Sequence, residues 1–232
     1  WAGLLNTTVD DEGVIIYSSQ GENLVIEVNH PDADIKTEWI GTNVFADTDA
    51  AWLLVAGAHR AACGGAADMA REQHTVFQVF HEEITNYFNG DIYALSIHGF
   101  GDSYDTFTYV YDDSVGIVIS NGDDPNGDFL EPSQLTQMLV GQFNSEILSA
   151  TDNYQQPAVT VFDALNFNYT PFNNLGGTLN PQGTYSNTHY SDLGPRWIHI
   201  EADYNIRQLN SDGGFRDQYH MAIANAVSDF YN

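Results

Sequence analysis

The chain has 232 residues, enough for one sizeable core, and its 43% hydrophobic content is that of a globular protein rather than a disordered one. Its 32 acidic residues outnumber 6 basic ones, for a formal net charge of −26. A surface so negative repels nucleic-acid phosphates and anionic membranes, and no apolar run approaches the roughly 20 residues that a membrane-spanning helix needs.

The same charge suits salty surroundings, where counter-ions screen self-repulsion, and a marine or halophilic exported protein is expected. The single Cys63 excludes an intramolecular disulfide. The sequence opens at Trp1 with no basic-then-apolar leader, so any signal peptide is expected to have been removed or never to have been included. A secreted or periplasmic location is therefore expected, with a halophile's cytoplasm as the alternative. Only Lys36 and five arginines remain (Arg60, Arg71, Arg196, Arg207 and Arg216), so each arginine is expected to have a specific acidic partner or ligand.

In chain order, short apolar runs rich in Val and Ile predict strands at 14–17, 24–28, 52–56, 93–97, 116–119, 158–162 and 197–200. They are continuous rather than alternating, as strands covered on both faces are. Between them, 75–88 carries Val76, Phe77, Phe80, Ile84 and Tyr87 at helical spacing, which leaves His81 on the solvent side. Residues 133–148 predict a helix capped by Ser133, with Leu135, Leu139, Phe143 and Ile147 as its stripe. A last helix is predicted over 216–230. The alternation predicts a single α/β domain over 1–232, a three-layer sandwich whose central sheet is mostly parallel, with helices on both faces. The acidic loop 120–127 and the long polar stretch 166–188 read as loops, the second long enough to shape a site.

Ligands bind beyond the carboxyl ends of parallel strands. Run 24–28 leads into His30 and Asp34, run 52–56 into His59 and Arg60, run 93–97 into His98 and Gly99, and run 197–200 into Glu201. Each histidine alone is also explained by a backbone hydrogen bond. Their shared edge is what points to a divalent metal, most naturally zinc, bound by His30, His98 and a carboxylate, either Asp34 or Glu38. Gly99 is expected to turn the chain sharply after His98. Glu201 shares a strand face with Trp197 and His199, a partly desolvated position that suits a general base. Arg60 suits a substrate carboxylate. His81 begins His-Glu-Glu-Ile-Thr, which is not the His-Glu-x-x-His zinc signature, because position 85 is Thr. Two alternatives stand beside this reading: a thiol nucleophile at Cys63, and a non-catalytic module binding calcium or a glycan through Asp123, Asp124, Asn126 and Asp128.

The segments LVIEVNHPDADIKT, VAGAHR, ADMAREQHTVF, LSIHGF, GIVISNG, LGGTLNPQG and WIHIEADYNIR follow one another in that order between residues 24 and 207. Together they resemble bacterial proteins of the broad zinc carboxypeptidase-like group, which includes N-formylglutamate amidohydrolases and phage poly-γ-glutamate hydrolases. The resemblance implies a mixed central sheet, zinc held by His30, Asp34 and His98, Glu201 as the catalytic carboxylate and Arg60 as a substrate clamp. Arg207 and Asn180, inside two of these segments, are expected to join Arg60 in binding a small peptide or acyl-amino-acid substrate. One departure stands out: carboxypeptidases carry His-x-x-Glu, and here Ala33 occupies the third position after His30.

Overall fold

A computed structural model describes residues 8–9, 15–18, 21–101, 115–124, 128–151, 157–162 and 175–232. Among these residues the elements run β1 Thr8–Val9, β2 Ile15–Ser18, β3 Glu22–Val28, α1 Thr37–Thr48, β4 Ala50–Val55, α2 Val76–Tyr87, β5 Tyr93–Gly99 and β6 Ile117–Ser120. They continue with α3 Gln134–Ala150, β7 Ala158–Thr160, α4 Pro181–His189, β8 Trp197–Ala202, α5 Tyr204–Arg207 and α6 Arg216–Tyr231. The predicted strands and helices all fall on these elements. The apolar run 158–162 is the exception in extent, since its strand stops at Thr160 and Val161 turns helical.

The strands form one sheet in the order β1-β2-β4-β3-β5-β8-β6-β7. β4, β3, β5 and β8 are mutually parallel at its centre, while β2 and β6 join them antiparallel. The central strands therefore end at one edge, and register sets their last residues side by side: Val28 opposite Val55, Glu27 opposite Ser96, and His98 opposite Glu201.

The two faces of this sheet differ. On one, Leu24, Ile26, Leu95, Ile97, Ile198 and Ile200 pack against α1, α3 and α6. The predicted stripe of Leu135, Leu139, Phe143 and Ile147 is wholly buried there, and Ser133 caps α3 by accepting from the Thr136 N–H. On the other face, Val25, Ala94 and Trp197 pack against Phe77 and Ile84 of α2. Further along the same strands that face becomes polar: Glu27, Asn29, Ser96, His98 and His199 are all buried. Helix α4 lies over this region. Its Gly183 admits the approach, since a Cβ there would sit 2.5 Å from the Trp197 ring.

Candidate metal centre

The segment after β3 makes one helical turn, with the Asp34 N–H donating to the His30 carbonyl at 2.7 Å. Residues i and i+4 of such a turn share a side, so Asp34 faces His30 while Ala33 does not. Glu38, the competing carboxylate, is exposed in the first turn of α1. His98 arrives from β5. Asp34 Oδ2 lies 3.1 Å from His98 Nδ1 and 3.4 Å from His30 Nδ1. One ligand atom from each of these three buried residues falls within 4.8 Å of the others, and among the described residues no other such group of histidine, cysteine and carboxylate is found.

Both imidazoles are held from behind. His30 Nε2 donates to Asp68 Oδ1 at 2.8 Å, and Asp68 Oδ2 accepts from Arg60 Nη2 at 2.8 Å. His98 Nε2 bonds Ser96 Oγ at 3.2 Å. A carboxylate flanked by a cation only accepts, so His30 must spend its Nε2 proton on Asp68. That leaves His30 Nδ1, which has no hydrogen-bond partner, as the atom facing Asp34. Such partners behind a ligating histidine fix its tautomer and orientation.

The electrostatics agree. Burial alone would raise the Asp34 carboxyl, but the imidazoles of His30 and His98 beside it overturn that and hold it far below the usual range. Asp68 is treated alike: burial opposes its charge, the His30 and Arg60 contacts favour it, and its pKa falls to about 2. Burial would depress His30, yet the neighbouring carboxylates of Asp34 and Asp68 raise it above the ordinary imidazole value. Burial, reinforced by nearby His199, pushes His98 down and keeps it neutral.

A third imidazole continues the row. The His98 ring lies 4.9 Å from that of His30 and 4.6 Å from that of His199. His199 Nε2 is 3.2 Å from Glu201 Oε1, and Glu201 Oε2 is buried without a partner. The alternation of Trp197, His199 and Glu201 thus brings the carboxylate beside His98 on the same sheet face.

Other expected site residues are placed differently. Arg207 is 2% exposed, and its donors are spent on backbone carbonyls. Its guanidinium donates to the carbonyls of Ala202 at 3.1 Å, Phe100 at 2.9 Å and Ile35, tying the end of β8 to the segments that follow β5 and β3. Gly99 makes this possible: it does not turn the chain but stays in the strand, and a Cβ there would lie 2.2 Å from the guanidinium carbon. Asn180, also 2% exposed, uses Oδ1 to cap α4 through the N–H groups of Gln182 and Gly183. Arg60 remains half-exposed at the centre's rim, paired with Asp68. His59 and Cys63 are exposed. Of the acidic loop, Asp123, Asp124 and Asp128 are described, with the Asp124 N–H donating to the Asp128 carbonyl and the Asp128 N–H to Asp124 Oδ1, while Asn126 lies outside the described residues.

Three participants escape a reading of the sequence. Asp68 sits in a loop with no local signal beyond its carboxylate. His81, expected on the solvent side, is fully buried, with Nδ1 at 2.6 Å from Glu27 and Nε2 at 3.0 Å from Ser186. The polar sheet face attracts the polar side of α2, against its apolar spacing. Ser186 is 7% exposed inside α4, so this trio is an internal bond between layers rather than an accessible nucleophile. Gln182 links α4 to the layer beneath through Asn29 and Gln78.

A scan against protein-family models finds no match, and neither does a search of curated protein sequences. Solved structures do match. The chain is similar to YndL in a zinc-free apo form, with 12% identity, coverage of 98% of this chain and 94% of that one, and a TM-score of 0.55. It is similar to a gene product of Agrobacterium tumefaciens, with 13% identity, 94% and 96% coverage and a TM-score of 0.55. A bacteriophage poly-γ-glutamate hydrolase follows, with 12% identity, 97% and 92% coverage and a TM-score of 0.50. The chain shares the α/β fold of these structures. The expected α/β architecture stands, and one of the matched folds, that of a poly-γ-glutamate hydrolase, belongs to the group that the sequence segments resemble.

Proposed function

We propose that this protein is a zinc-dependent hydrolase that cleaves an amide bond next to a carboxylate-bearing group. The observation that carries the reading is the convergence of two imidazole Nδ1 atoms on one Asp34 oxygen. Three buried electron-rich atoms repel one another unless protons or a cation lie among them. Two nitrogens and one oxygen are a donor set suited to a catalytic zinc, which leaves a fourth position for water or substrate. The zinc-free form of YndL, a protein of the same fold, supports that choice of metal.

Bound there, zinc would supply a Lewis acid and lower the pKa of water towards neutrality. Glu201 accepts the water proton at its unpartnered Oε2 and passes it to the departing amine. His199 holds the other carboxylate oxygen in place. Arg60, at the rim, receives the substrate carboxylate as a charge-assisted hydrogen bond. A small peptide or acyl-amino acid satisfies these requirements, and the phage poly-γ-glutamate hydrolase of the same fold is consistent with such an amide.

Two measurements test this. Elemental analysis is expected to find one zinc per chain, removed by chelation and regained on addition. Glu201→Gln is expected to retain zinc while lowering kcat on acyl-glutamate or γ-glutamyl amides by about 10²–10⁴-fold. A purified chain that neither carries nor rebinds zinc sinks the reading.

A further inference from the structure

A directional chain of hydrogen bonds leads away from His98. Ser96 Oγ lies 3.2 Å from His98 Nε2 and 2.9 Å from Asn29 Oδ1. Asn29 Nδ2 donates to Gln182 Oε1 at 3.0 Å, and Gln182 Nε2 donates to Gln78 Oε1 at 2.8 Å. Gln78 Nε2 ends the chain on Glu82 Oε1 at 2.8 Å. Ser96, Asn29 and Gln182 are wholly buried, and Gln78 is 3% exposed.

Its direction is forced. Gln182 Nε2 also donates to the Met69 carbonyl at 3.1 Å, and a carbonyl only accepts. Gln78 Nε2 faces a carboxylate and the Pro181 carbonyl, two acceptors. Both glutamine amides are therefore fixed in orientation. Gln182 must present Oε1 to Asn29, so Asn29 must turn Nδ2 towards it and Oδ1 towards Ser96. The single hydroxyl proton of Ser96 goes to Asn29. Only lone pairs remain on Ser96 Oγ for His98, so His98 Nε2 has to carry a proton.

We propose that this relay positions His98 for metal binding by holding it as the Nε2–H tautomer, with Nδ1 bare towards Asp34. The inference rests on the proposed metal centre. The relay acts against the local preference, because Asp34 Oδ2 at 3.1 Å would otherwise draw the proton onto Nδ1. It also makes readiness of the centre depend on the docking of α4, which contributes Gln182. Ser96, Asn29 and Gln182 are positioning residues: they act on the metal through His98.

The test is nitrogen-detected histidine NMR of the metal-free protein at pH 9, where neutral imidazoles report their tautomer directly. Wild type is expected to show His98 as Nε2–H. Ser96→Ala is expected to switch it to Nδ1–H and to weaken zinc binding by about 10–100-fold, while Ser96→Thr, which keeps the hydroxyl, restores both. Asn29→Leu leaves Ser96 in place but frees its proton for His98 Nε2, so it predicts the same switch and serves if Ser96→Ala does not fold. A wild-type His98 found as Nδ1–H, or a tautomer unmoved in a folded Ser96→Ala or Asn29→Leu variant, overturns the proposal. Because the tautomer is read without metal, a protein that switches as expected yet never binds zinc keeps the relay and discards the zinc reading.

Discussion

His30 sits between two carboxylates, and this decides how the centre responds to pH. Its proton is bound more tightly than in an ordinary imidazole, because the carboxylates of Asp34 and Asp68 outweigh burial. In the metal-free protein that proton contributes stability that is fully present below the ordinary pKa of 6.5 and is lost as pH rises through the raised value. Zinc needs the same nitrogen free, so its affinity runs the opposite way. Zinc titrations across pH 6–9 are expected to show affinity rising roughly tenfold per unit on the acid side of the raised value and levelling above it. An affinity flat across that range would show that no proton leaves His30 on binding. Asp68→Asn removes one of the raising contacts and is expected to move the levelling point to lower pH.

At the scale of elements, Arg207 joins the end of β8 to the segments that follow β3 and β5, beside the strand ends that bring Asp34, His98 and Glu201 together. Its planar fork reaches three carbonyls, and a lysine ammonium on a single stem cannot reproduce that spread. Arg207→Lys is expected to destabilise the fold by about 2–4 kcal/mol, since each abandoned buried carbonyl costs about 1–3 kcal/mol, with the change read from urea midpoints. A midpoint unchanged from wild type would show that water replaces the lost donors. The strand ends were legible because runs 93–97 and 197–200 stop directly before His98 and Glu201, run 24–28 stops two residues before His30, and a parallel sheet aligns those stops. The Leu135, Leu139, Phe143 and Ile147 stripe was legible because its face meets apolar neighbours alone. What was not legible depended on partners distant in sequence. His81 looks solvent-facing until Glu27, 54 residues earlier, lies beneath it. Gln182 looks like any polar loop residue until Asn29, 153 residues away, meets it. Arg207 looked free because its acceptors are backbone carbonyls, which every sequence supplies equally.

At the scale of the molecule, the net charge of −26 sets the conditions for stability. Few of the cations are spread over the surface to offset it. Arg60 pairs with Asp68, Arg207 is buried among carbonyls, Arg216 stacks 3.6 Å from the Trp39 ring, and Arg196 sits over Tyr93 at 4.6 Å. Folding gathers the 32 acidic side chains into a smaller volume than the unfolded chain allows, so self-repulsion opposes the native state. Screening relieves it: the Debye length shrinks from about 30 Å at 0.01 M salt to about 3 Å at 1 M. The melting temperature in sodium chloride is therefore expected to rise steeply between 0.01 and about 0.3 M and then flatten, as the screening length falls below the spacing of neighbouring charges. The buried bonds of Asp34 and Asp68 are screened much less than the surface is, so zinc affinity should change far less over the same salt series. A melting temperature indifferent to salt would mean that the acidic side chains lie far enough apart in the native state for their repulsion not to matter.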